Sequence, residues 1–125
     1  MEEAVRIFNV GLKSCPFASQ VEYFRSALAL WWLWGRDFRK AGETLDTVKS
    51  PLLQPSTNVI RIHAFGAQYN RERAVRAYES LEATPHLFND DLTQELRRQY
   101  VLGKKPTKSE EWIFDREVRL TVAYR

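Results

Sequence analysis

Asn58–Leu81 reads NVIRIHAFGAQYNRERAVRAYESL, and the way this stretch folds decides the architecture. Its first half is rich in β-branched and aromatic residues, and apolar positions alternate: Ile60, Ile62 and Ala64 against Arg61, His63 and Phe65. That alternation predicts a strand over Asn58–Gly66. Asn70 then caps a helix running to about Ala83, with Ala74, Val75, Ala77, Tyr78 and Leu81 on its inner face. The strand's outer face would carry a guanidinium, an imidazole and a phenyl ring. Arg71 and Arg73 crowd the helix start with positive charge, where acids are preferred.

Upstream, Val5–Leu12 (VRIFNVGL) has strand propensity and places Arg6, Phe8 and Val10 on one side. Pro16 ends it. Phe17, Val21, Phe24, Leu28, Trp31 and Phe38 then recur at helical steps, which predicts one long helix over 17–41 with Gly42 as its stop. Trp31, Trp32 and Trp34 cannot all face one way on a helix. Trp31 is read as core, and Trp32 or Trp34 as an interface anchor or stacking platform. Glu43–Lys49 reads equally as a short strand or a further helical turn.

Downstream, Asp90 and Asp91 open a helix capped by Asn89, Arg97 and Arg98 close it, and Gly103 follows its end. Gly103–Ser109 (GKKPTKS) is a polar, basic loop. In the last segment Trp112, Phe114, Val118, Leu120, Val122 and Tyr124 alternate with mostly polar residues, which predicts a half-exposed strand. With Glu43–Lys49 as a strand the order is β-α-β-β-α-β plus one inserted helix. The expected fold is therefore a single α+β domain over 1–125, ferredoxin-like, with helices packed on one face of an antiparallel sheet.

The chain has 125 residues with an apolar fraction of 44%, sufficient for one core without disulfides or metal. Its 19 basic residues, 13 of them arginine, against 16 acids give a net charge of +3, which permits an anionic partner. Cys15 is the only cysteine, so no internal disulfide and no cysteine metal cluster can form, and an intracellular setting, cytoplasmic or nuclear, follows. MEEAVRIF lacks the plan of a signal peptide, and the apolar run Ala27–Trp34 is too short for a bilayer, so no membrane partner is expected.

In this fold Arg6 and Phe8 would join Arg61, His63 and Phe65 on the open sheet face, with Arg119 on the edge strand. Rings stack on bases and guanidiniums meet phosphates, so this face, with Lys104 and Lys105 of the basic loop, points to nucleic acid, RNA above all. A small RNA-binding accessory protein, of viral or phage type, is the leading expectation. A homodimer or protein-interaction module using the same face, or Trp32 and Trp34, is the alternative. A small enzyme is the third. No catalytic residue, metal site or cofactor is assigned: no HxH, HExxH or P-loop spacing occurs. His63 could serve as a general base, but spacing fixes no partner acid. Asp115, Glu117 and Arg119 are read as an exposed strand face rather than a nuclease site.

Overall fold

The computed structural model describes residues 18–51, 53–83 and 91–122, and it corrects the expected class. Six helices follow one another: α1 (Ala18–Trp34), α2 (Phe38–Leu45), α3 (Gln54–Ala67), α4 (Arg71–Ala83), α5 (Asp91–Tyr100) and α6 (Glu110–Val122). No strand occurs among the described residues, so the ferredoxin-like α+β sheet is replaced by a helical bundle. The expected strands over Asn58–Gly66 and the final segment are α3 and α6. The first expected strand, Val5–Leu12, lies outside the described residues, as do Cys15, His86 and Asn89.

Local chemistry explains where four of the helices begin. Pro55, in the first turn of α3, supplies a preset φ where no amide donor is needed. Asp37 caps α2 by accepting from the Lys40 amide at 3.2 Å, and Asn70 caps α4 by accepting from the Arg73 amide at 3.3 Å. Ser109 does the same for α6 through the Trp112 amide at 3.1 Å, with Glu110 and Glu111 in the first turn and Arg119 in the last. The helix expected over 17–41 is broken at Gly35–Asp37, and Gly42 lies buried inside α2 against Phe65 rather than ending a helix.

α3 is the centre of the bundle and touches each of the other five helices. Ser56, Thr57, Asn58, Val59, Ile60, Ile62, Ala64 and Phe65 are all buried, so this helix is enclosed around almost its whole circumference. Encirclement is why its sequence shows no 3.6-residue stripe: with neighbours on every side, apolar residues are wanted at every position. Around it pack Leu33 and Ala29 of α1, Leu45 of α2, Leu81 of α4, Leu92 and Leu96 of α5, and Ile113 and Leu120 of α6. Each such leucine or isoleucine contributes about 1.5–3 kcal/mol on full burial. On α6 the buried positions are Ile113, Glu117 and Leu120, steps of four and three, which is helical spacing with an acid in the middle.

Candidate functional site

A cavity of about 400 Å³ opens where the C-terminal ends of α1, α3 and α5 meet the start of α6. Its walls carry the rings of Trp34, Phe38, His63 and Tyr100, and its rim carries Arg36, Tyr69, Lys108 and Glu110. The volume lies within the range of small-molecule sites, and apolar walls with a few convergent polar groups are their usual build.

The chemistry centres on His63. Its Nδ1 lies 2.8 Å from Glu117 Oε2, which reaches in from α6. The His63 side chain keeps 17% of its surface exposed, while that of Glu117 is wholly buried. A carboxylate can only accept here, so Nδ1 carries the hydrogen, and in the neutral ring Nε2 is the lone-pair nitrogen. No hydrogen bond engages Nε2 among the described residues. The ring stacks on Tyr100, with centroids 5.4 Å apart and planes at 19°, and lies 6.3 Å from Phe38.

Gly66 makes that stack possible. One turn along α3 from His63, it lets α5 come so close that any Cβ at this position would overlap the Tyr100 ring. Burial pushes the Tyr100 hydroxyl above its ordinary range, and the nearby carboxylates of Glu117 and Glu110 push the same way against a smaller opposing effect of Arg36. The phenol therefore stays protonated at neutral pH and can donate a hydrogen bond.

Two features mark the rim. Arg36 Nη2 meets Glu110 Oε2 at 2.6 Å, joining the α1–α2 turn to α6 across the mouth. Arg36 (φ 62°) and Tyr69 (φ 60°) are also the two non-glycine residues with left-handed backbone among the described residues. Each follows a helix end: the Asp37 amide returns to the Trp32 carbonyl and the Asn70 amide to the Phe65 carbonyl, both at 2.9 Å. Glycine is the usual occupant of such a cap, so both residues hold a strained conformation at the cavity edge.

The residues singled out from the sequence fare differently. Arg6 and Phe8 lie outside the described residues. Arg61 sits in α3 and clasps α2 to it, donating to Gln54 Oε1 and Asn58 Oδ1 at 2.9 Å each and to the Leu45 carbonyl at 2.7 Å. Burial lowers its pKa, with Asp46 opposing and Arg73 adding to the shift. Phe65 is buried under the Arg73 guanidinium, 4.0 Å from its centroid. An open face holding Arg61, His63 and Phe65 together is thus not formed. Arg119 is exposed and pairs with Asp115 at 3.1 Å, one turn apart on α6. Lys104 and Lys105 are exposed in the loop before α6. Trp32 is half-buried beneath Lys40, Trp34 lines the cavity, and Trp31, expected in the core, is the exposed member of the three.

Glu117, Tyr100, Tyr69, Arg36 and Glu110 were not foreseen. Glu117 leaves a signal only once α6 is known to be a helix: it is then an acid on the step between Ile113 and Leu120, where only a partnered acid is tolerated. Among the described residues no group of three histidines, cysteines or acids could hold a metal ion, and no helix is long and apolar enough to cross a membrane. No protein-family model matches the chain, and neither a curated protein nor a solved structure is matched by it.

Proposed function

We propose that the cavity binds a small molecule with a flat apolar ring, and that His63, oriented by Glu117, acts there as acceptor and general base. The observation that carries this reading is the 2.8 Å contact between the cavity-lining imidazole and a wholly buried carboxylate. A buried acid facing an imidazole gives little stability over an apolar pair of the same shape. It does fix the tautomer and aim of the ring, which is how carboxylates serve histidine bases and histidine ligands. Tyr100 supplies a stacking surface and a donor, and Trp34 and Phe38 supply apolar walls.

Hydrolysis of p-nitrophenyl acetate tests the base directly, since the probe reports any activated imidazole. The wild-type protein is expected to exceed free imidazole at equal concentration, and His63→Ala to fall to that background. Glu117→Gln keeps the shape but removes the charge, and is expected to cost about 10–100-fold. A second arm screens flat heteroaromatic fragments by ligand-observed NMR: binding should disappear in His63→Ala and weaken in Tyr100→Leu. Equal turnover and equal fragment binding in His63→Ala would exclude the reading.

A further inference from the structure

Sorting the cations by their partners separates two populations. Arg36, Arg39, Lys40, Arg73, Arg76 and Arg119 each face a carboxylate. Arg97, Arg98, Lys104, Lys105 and Lys108 have no ion pair among the described residues, and all five fall on the end of α5 and the loop that follows. Elsewhere among the described residues Arg25, Lys49, Arg61, Arg71 and Arg116 also have no ion pair. Of these Arg61 is held in its polar clasp, Arg71 donates to the Val101 carbonyl at 2.7 Å beside the same stretch, and Arg116 lies over Trp112.

The loop carrying these lysines is held in place. Glu95, buried on α5, accepts from the Thr107 amide at 3.1 Å, from the Thr107 hydroxyl and from Gln99 Nε2 at 2.7 Å. Arg98 Nε donates to the Lys105 carbonyl at 2.8 Å, and the Lys104 amide returns to the Arg98 carbonyl at 2.9 Å. Between α5 and the loop runs an open groove of about 390 Å³, lined by Arg97, Arg98, Lys108, Thr107 and two acids, Asp91 and Glu95. Three cations, Arg97, Arg98 and Lys108, face these two acids, so the groove's excess charge is positive. Next to it the half-buried Trp112 ring has Lys108 and Arg116 each 5.1 Å from its centroid.

We propose that this face binds single-stranded nucleic acid, with phosphates along the groove and the loop lysines and a base stacked at Trp112. Concentrated cations that outnumber the acids beside them fit a polyanion, their fixed loop lowers the ordering cost, and a half-buried ring beside two cations suits an unpaired base rather than a duplex. The proposal stands apart from the reading of the cavity, since it uses neither His63 nor Glu117 and shares only Lys108 with the cavity rim.

Fluorescence anisotropy with labelled oligouridine, oligothymidine and an RNA duplex, each about twelve nucleotides long, tests it. Single strands are expected to bind, with log affinity falling against log salt by about 0.7 per phosphate neutralised. Lys104→Ala/Lys105→Ala/Lys108→Ala should weaken binding at least about tenfold and flatten that slope by about 2. Trp112→Leu, with its helical circular dichroism checked, should cost about tenfold. Arg39→Ala/Arg76→Ala/Arg119→Ala, which removes the same charge from paired sites, should leave affinity unchanged. The uridine and thymidine arms separate RNA from DNA. The proposal is overturned by absence of binding at low salt, by equal loss in the paired-arginine variant, or by equal or tighter binding of the duplex. Capture on phosphatidylserine vesicles that excess oligouridine cannot reverse would assign the face to membranes instead.

Discussion

Tyr69 exposes 97% of its surface and holds φ at 60° at the end of α3, on the rim of the cavity. A tyrosine there has little packing to lose and a strained backbone to relieve, at a cost of about 1–2 kcal/mol for an L-residue in this region. Tyr69→Gly is therefore expected to raise the thermal midpoint, or at worst leave it unchanged, since glycine returns part of the gain as unfolded-chain entropy. The same substitution removes a rim ring and should weaken fragment binding in the cavity. Opposite signs in calorimetry and in ligand titration are the expected result. Equal losses in both would show Tyr69 to be structural. His63 differs from Tyr69 in this respect, because its partner is buried and its removal leaves the Glu117 carboxylate without that contact.

At the scale of elements, the loop before α6 depends on one carboxylate. Burial pushes Glu95 upward, but hydrogen bonds from the Thr107 hydroxyl, Gln99 and the Thr107 amide, with Arg98 nearby, outweigh it and hold its pKa below the usual range. A depressed folded-state pKa contributes stability that is whole above the unfolded value of about 4.3 and disappears as pH falls through the folded one. Glu95→Gln should thus lower the thermal midpoint at neutral pH and flatten its decline below about pH 4.3, measured as midpoint against pH. An unchanged acid limb would mean that Glu95 does not hold the loop. The legibility of each element followed from its surroundings. The start of α4 and the charged first and last turns of α5 were readable because they lie at the surface, where Asn70, Asp91, Arg97, Arg98 and Gly103 obey end rules that need no tertiary partner. α3 and α6 were misread for opposite reasons. Enclosure filled α3 with β-branched residues whose alternation imitates a strand, whereas on α6 the buried Glu117 hid the apolar step from Ile113 to Leu120. Of the site, only His63 stood out. Tyr100 and Glu117 are distant from it in sequence and are brought to it by packing, the one through the absence of a side chain at Gly66.

Across the whole molecule, α3 is the helix every other helix leans on, and it also forms one wall of the cavity. A ligand held at His63 therefore rests on the one element that cannot loosen without releasing all its neighbours. Sites on peripheral loops are lost in partial openings that leave the rest of a domain protected. Because α3 touches all five other helices, the opening that frees it is expected to be the global one, which would link occupancy directly to cooperative unfolding. At a hundredfold excess over its dissociation constant a ligand adds about 2.7 kcal/mol to that opening. Amide exchange should accordingly slow in the buried core of α4 around Ala77 and Leu81, residues that do not line the cavity, as well as around His63. Protection confined to the cavity wall would show that α3 opens without its neighbours. The hub that holds the bundle together would make the amides of α4 the distant reporters of what the cavity contains.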